Sequence, residues 1–344
     1  MVNIGVIGCG YWGPNLIRNF SQIDGCKVLW CSDLREERLS HIKDIYPNIK
    51  TTKDCMDIIN DRNVDAVAIA TPVSSHFEMA KKALMNKKHA LIEKPITSNA
   101  KDAKELVEIA KKGKKVLMVD HTFEYTAAVS KIKEIIGNGE LGRILSIDMI
   151  RVNLGLFQKD INVIWDLAPH DISILLLIMN KMPLSVKADG MDHIQNGIVD
   201  DAHLTLKLPD KIMAHMHVSW LDPLKIRKIT IVGNKKMLVY DDTEQNGKIK
   251  IYDKGVILEK SSMPKDRYYD TWEEFRLVYK SGDVSIPKLE EKEPLNVMCR
   301  HFIECVKTGK TPVSDGIAGL RVVQVIEALQ ESLKNNGKEV FLNP

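Results

Sequence analysis

The sequence predicts an α/β protein in two parts: a doubly wound parallel sheet, then an α+β domain with a large, mostly antiparallel open sheet. Three observations support this. Up to residue 120, short apolar runs alternate with polar stretches of 3.6-residue period. After residue 122 the apolar pattern switches to period 2, in longer segments punctuated by Gly, Pro, Asn or Asp. Between the first strand and the first helix lies a G-x-G-x-x-G loop. The boundary falls near His121, giving domains over residues 1–121 and 122–344.

In the first part, NIGVIG, KVLWCS, DAVAIA, HALIE and KVLMVD read as strands buried on both faces, since they lack polar alternation. PNLIRNF, REERLSHIKDIY, SHFEMAKKALMN and AKDAKELVEIAKK, which lie between them, read as amphipathic helices. Such alternation builds βαβ units. In the second part a helix, AAVSKIKEIIG, leads into the turn NGELG. RILSIDMIRVN, DAHLTLKLP, KIMAHMHVSW, KIRKITIVG, KKMLVYDD and GKIKIYDKG then read as half-buried strands. A helix from Leu167 to about Met179 interrupts them. Two more close the chain, near Leu295 to Lys307 and Ile317 to Leu333. A wide sheet with a bare outer face would be an apolar patch of a size monomers rarely show. A homodimer or homotetramer through that sheet is therefore expected.

Several function classes are excluded. The 49 Lys+Arg nearly balance 46 Asp+Glu, so no excess of base points to nucleic acid. The longest apolar run, Ile172 to Met179, falls well short of the ~20 residues that span a bilayer. No basic-then-apolar leader precedes the first strand, and the six cysteines show no C-x-x-C spacing. A cytoplasmic protein with reduced thiols is expected. His215 and His217 share a strand face, but no third ligand has zinc spacing, so no metal is expected.

The glycine loop, IGVIGCGYWGPNL, follows a strand and opens a helix, the context in which G-x-G-x-x-G binds a dinucleotide. Gly8 permits the tight turn, Gly10 lets the pyrophosphate approach the backbone, and Gly13 lets the helix pack close. The helix N-terminus offers N–H groups and a positive dipole to the phosphates. Tyr11 and Trp12, between the last two glycines, belong to the same loop. Asp33 ends the second strand near the ~20-residue offset expected of an acid that holds the ribose hydroxyls. A carboxylate there repels a 2′-phosphate, so NAD is favoured over NADP. Arg35 and Arg38 read as an exposed, charged helix face.

The strand HALIE runs into Glu93-Lys94-Pro95, and ligands in such sheets sit beyond the carboxyl ends of the strands. Together GVIGCGYWG, ATPVSSH, EKPI and WDLAPHD resemble the Gfo/Idh/MocA oxidoreductases, in order and over essentially the whole chain. The resemblance implies a Rossmann domain, a C-terminal domain with a large open sheet, and a Lys, Asp and His around the substrate carbinol; residues 122–344 are thus expected to bind substrate and, through the sheet, to mediate oligomerisation. The Lys, Asp and His map onto Lys94, Asp166 and His170. The resemblance also implies Thr71, Pro72, His76 and Glu93 in the cofactor cleft. DHTFEYTAAV departs from the commoner family form with an Arg, and Tyr125 is the candidate to line the substrate pocket in its place.

In VIWDLAPHDISILL, Asp166 reads as the N-cap of the helix, with Pro169 in its first turn. His170 follows Asp166 by four residues, on the same face. Near a helix N-terminus a positive imidazole is disfavoured, which suits His170 to accept the hydroxyl proton while NAD accepts the hydride. Asp166 then orients the sugar and Lys94 stabilises developing alkoxide charge.

Within the family, RVNLGLFQKDINVIWDLAPHD and VSWLDPLKIRKITIVGNKKMLVYDD resemble UDP-N-acetylglucosamine 3-dehydrogenases. That implies oxidation of the C3 hydroxyl of a nucleotide-activated amino sugar, feeding an aminotransferase. Asn153, Lys225 and Arg227 are candidates to face sugar or diphosphate. The alternatives are a dehydrogenase or ketoreductase of another sugar or cyclitol on the same fold, such as inositol, and a sensor that binds NAD or sugar without turnover.

Overall fold

The computed structural model describes residues 1–159, 161–256, 279–290 and 292–342. The chain forms two compact units: Met1–Thr126 with Ile172–Leu176 and Glu291–Glu327, and Ala127–Asp171 with Leu177–Glu290 and Ala328–Pro344.

The first unit holds six parallel strands: β1 (Val2–Ile7), β2 (Cys26–Ser32), β3 (Lys50–Thr52), β4 (Ala66–Ile69), β5 (His89–Glu93) and β6 (Leu117–Asp120). Their order is β3-β2-β1-β4-β5-β6. The order reverses between β1 and β4, which opens a crevice at their carboxyl ends. Helices α1 (Trp12–Ser21), α2 (Glu36–Ile45), α3 (Cys55–Asn60), α4 (Val73–Met85) and α5 (Ala100–Gly113) alternate with the strands. The short β3 and α3 were too brief for a periodic signal. Asp54 nevertheless caps α3, its Oδ1 accepting from Met56 N at 2.8 Å.

The unit is completed from the far end of the chain. The sequence assigns the helix near Leu295 to the second domain, yet α8 (Pro294–Thr308) packs in the first unit. Its stripe of Leu295, Met298, Cys299, Phe302 and Ile303 joins the core that contains Ile17, Phe20 and Met118. The rings of Phe302 and Phe20 meet edge to face at 6.2 Å. At the edge of this contact, Arg18 Nη1 donates to Glu293 Oε2 at 3.0 Å.

The second unit is built on nine strands: β7 (Ile144–Leu154), β8 (Ser185–Met191), β9 (Asp201–Leu208), β10 (Ile212–Ser219), β11 (Leu221–Gly233), β12 (Met237–Asp241), β13 (Ile249–Val256), β14 (Tyr279–Ser285) and β15 (Val340–Phe341). Their order is β14-β13-β12-β11-β7-β10-β9-β8-β15. Among the described residues the pairing is antiparallel except between β7 and β10. Alternation buries Ile147, Met149, Leu204, Leu206, Ala214 and Met216 on one face. The other face carries Asp148, His203, Thr205, Lys207 and His215. The outer face is therefore mixed: beside these polar residues it carries the apolar Ile150, Met213, Val232, Met237 and Val239.

Helix α6 spans Ala127–Gly137, α7 spans Val163–Met179 and α9 spans Gly316–Lys334. The start of α7 corrects the sequence expectation. Asn162, not Asp166, caps it: Asn162 Oδ1 accepts from Trp165 N at 3.2 Å. Asp166 falls in the first turn, and Pro169 lies inside the helix rather than at its beginning. Pro169 therefore does remove one intrahelical donor. The cap was hidden because Val163 and Ile164 read as the end of a loop, although both are fully buried. No described helix is long and apolar enough to cross a membrane.

Candidate functional site

In the first unit the glycine loop follows β1 and opens α1. Gly8 has φ +96°, and a Cβ there would lie 2.4 Å from Ala70 O. A Cβ on Gly13 would lie 2.0 Å from Gly8 O. Backbone geometry thus demands both glycines. Gly10 differs: the nearest atom to its virtual Cβ is Arg38 Nη1, at 3.5 Å. The chain itself would tolerate a methyl group there, so the bare backbone serves an approaching ligand. No side chain caps the N-terminus of α1, which leaves its N–H groups for phosphate. Tyr11 and Trp12 are exposed and pack edge to face at 5.1 Å.

Asp33 lies just past β2. Its Oδ2 accepts from Cys9 N at 2.8 Å and Arg38 Nη1 at 3.1 Å, and its Oδ1 accepts from Arg35 N at 3.0 Å. Burial acts to raise its pKa, but these donors outweigh it, and the carboxyl is held below its ordinary value. Arg38 is thus no freely exposed helix charge; it folds over the loop onto Asp33. A cavity of about 390 Å³ opens here, lined by Gly8, Gly10, Asp33, Arg38, Thr71 and Pro72 among others. Lys53 also lines it, a basic residue that the sequence pattern does not single out. A dinucleotide fits this donor set: open backbone and helix N–H groups for phosphate, and a fixed carboxylate for ribose.

Thr71 and Pro72 lie between β4 and α4, and the Thr71 hydroxyl accepts from Ser75 Oγ at 2.8 Å. His76 is expected in the cleft but is 1% exposed. Its Nδ1 lies 2.9 Å from Pro95 O and its Nε2 2.8 Å from Thr71 O. It ties the loop after β4 to the loop after β5, and burial keeps its pKa low.

Glu93, also expected in the cleft, is likewise buried. It stands opposite Asp120 in the β5–β6 register, and both side chains are buried. Burial first, then the Asp120 charge, raises the Glu93 pKa; burial also raises that of Asp120. Two carboxylates buried side by side disfavour ionising together. Thr122 Oγ1 donates to Asp120 Oδ1. The next residues are Lys94, half-buried at the carboxyl end of β5, and His121. The His121 ring nitrogens have no hydrogen-bond partner among the described residues. Burial, then the Lys94 charge, lowers its pKa to about 3. Asp120 and His121 were missed because their significance depends on β5 and β6 lying side by side. Tyr125, expected to line the substrate pocket, is buried instead, its hydroxyl 2.9 Å from Ser314 Oγ.

In the second unit, Asp166 and His170 lie one turn apart on α7. Asp166 Oδ2 accepts from Trp220 Nε1 at 3.0 Å. His170 is the eighth residue of the helix, past the turn over which the dipole acts strongly. His170 therefore lies beyond the helix start at which the sequence reading puts it. Asp171, the following residue, is buried and accepts from Arg151 Nη2 at 2.7 Å and Nε at 3.1 Å, which fastens α7 to β7. Asn153 is half-buried on β7. Lys225 is exposed, and Arg227 pairs with Asp242 at 3.4 Å.

A glycine loop between strand and helix, an acid after the second strand and a crevice at the switch point define a dinucleotide-binding α/β protein. The chain belongs to the Gfo/Idh/MocA family of oxidoreductases: residues 2–121 match its NAD-binding Rossmann fold and residues 129–239 its C-terminal domain. It is an oxidoreductase, and its cofactor is NAD. It is 28% identical to the myo-inositol 2-dehydrogenase of Thermotoga maritima, over 97% of this chain and 96% of that protein. Among solved structures it is similar to the UDP-N-acetylglucosamine 3-dehydrogenase GnnA of Acidithiobacillus ferrooxidans (TM-score 0.80, 22% identity, 97% of this chain and 98% of that one). It is also similar to an oxidoreductase from Agrobacterium radiobacter in complex with NAD+, L-tartaric acid and magnesium (TM-score 0.82, 18% identity, 99% and 98%). These two structural likenesses concern the fold alone.

Proposed function

We propose that the protein is an NAD-dependent dehydrogenase of a sugar or cyclitol ring alcohol, and that it oxidises the C3 hydroxyl of a nucleotide-activated N-acetylhexosamine. The observation that carries the catalytic reading is the pair on α7: a carboxylate held by Trp220, with an imidazole one turn further on. Asp166 accepts a hydrogen bond from the ring hydroxyls and orients them. His170 takes the hydroxyl proton. Lys94 takes the role that the family resemblance implies, stabilising developing alkoxide charge. Bound NAD supplies the hydride acceptor. The nucleotide-sugar assignment rests on the RVNLGLF…WDLAPHD and VSWLDPLKIRK segments. A second reading, a cyclitol such as inositol, is favoured by the full-length similarity to the Thermotoga protein.

The test is the absorbance of reduced nicotinamide on mixing the purified protein and NAD with UDP-N-acetylglucosamine or with myo-inositol. Turnover of the first alone supports the nucleotide sugar, and turnover of the second alone the cyclitol. Ligand-induced stabilisation without reduction of NAD across a panel of sugars would indicate a sensor. A homodimer or homotetramer is the proposed assembly, and a monomeric mass in solution would refute it.

A further inference from the structure

We infer that the outer face of the second unit's sheet carries a binding site for a divalent transition-metal ion, formed by Asp201, His203 and His217. His203 on β9 stands directly opposite His217 on β10. Asp201 lies two residues before His203, hence on the same face. Their candidate ligand atoms all fall within 4.8 Å of one another. The imidazoles stack nearly parallel, centroids 4.2 Å apart and planes 9° apart, and His217 Nε2 lies 2.9 Å from Asp201 Oδ1. Sequence spacing hides this set, because the third ligand lies across a hairpin. His215, the neighbour two residues from His217, is instead engaged with Thr205 at 3.3 Å.

The chemistry of the set is specific. Two imidazole nitrogens and one carboxylate oxygen suit zinc, cobalt, nickel or copper, not magnesium or calcium, which take oxygen ligands. Metal–ligand bonds of about 2.0–2.2 Å place tetrahedral ligands roughly 3.3 Å apart. The side chains therefore need only to close further, on strands already fixed by their hairpin ladder. Three protein ligands leave a position open toward solvent, for water or another donor. Asp189, which faces His203 from β8, is a nearby carboxylate, though it is paired with Lys187 at 3.0 Å.

The test is equilibrium dialysis and calorimetry of the full chain with zinc chloride, paired with the visible spectrum of the cobalt-loaded protein. One saturable equivalent is expected, with a cobalt spectrum of nitrogen and oxygen ligands and a raised melting temperature. His203→Ala, His217→Ala and Asp201→Asn should each weaken binding more than ~100-fold, beyond the loss of about 10–100-fold typical of a group outside the coordination shell. Sulfur-to-cobalt charge transfer, binding unchanged in the three variants, or no binding at all would each overturn the inference. Because the three residues lie outside the proposed catalytic set, turnover with NAD should be retained in all of them.

Discussion

Replacing Asp33 with Ala tests how the cofactor is chosen. Asp33 joins the glycine loop to the ribose subsite, accepting from Cys9 N at 2.8 Å and from Arg38 at 3.1 Å. A hydrogen bond to a charged group contributes about 1.5–3 kcal/mol. Losing one carboxylate–ribose bond should lower kcat/KM for NAD by roughly 10–150-fold. With NADP the change runs the other way: the repelling carboxylate is gone, and Arg38 is released to meet a 2′-phosphate. Loss of the Arg38 ion pair itself costs little stability, since that side chain is 36% exposed. The assay is initial rate against cofactor concentration for both nucleotides, with melting temperature as a folding control. Arg38→Ala in the same assay should not raise activity with NADP. A folded Asp33→Ala enzyme with an unchanged NAD-to-NADP ratio would show that the ribose is read elsewhere and refute the assignment.

Gly13→Ala should abolish NAD binding and lower the melting temperature, because its Cβ would sit 2.0 Å from Gly8 O; calorimetry with NAD checks this. His170→Ala should leave NAD binding intact and slow turnover by about 10²–10⁴-fold, read from kcat in steady state. Asp171→Ala removes the buried carboxylate that Arg151 bonds at 2.7 Å and should destabilise by about 3–5 kcal/mol, measured by urea unfolding. Glu93 and Asp120 have raised pKa values in the folded state. The stability they confer is full below the ordinary carboxylate range and declines as pH rises through the raised values. Glu93→Gln should flatten that decline, so thermal melts across pH will show the variant gaining on the parent toward alkaline pH.

The alternation of five buried runs with amphipathic stretches was enough to read the first sheet, because each strand was covered on both faces. β3 and α3 escaped, being shorter than one hydrophobic period. The glycine loop and Asp33 were legible because their roles follow from backbone geometry and a short offset. His76, Glu93 and Tyr125 are expected at a cleft and are found buried, for a common reason: polar side chains beside a cleft read the same whether they face it or lie behind its surface. The buried Glu93–Asp120 pair depended on strand adjacency, which no local pattern encodes. The start of α7 was misread because a proline was taken as marking the first turn, when Asn162 had already begun the helix seven residues earlier.

The return of α8 to the first unit has a consequence for how the polypeptide is made and divided. Leu295, Met298 and Phe302 emerge from the ribosome after nearly everything else, yet Ile17 and Phe20 wait for them. A fragment ending near residue 121 would carry its glycine loop on a helix with one flank stripped of its apolar cover. Anyone isolating the nucleotide-binding half would do better to splice the late helix onto it than to cut where the sequence pattern changes.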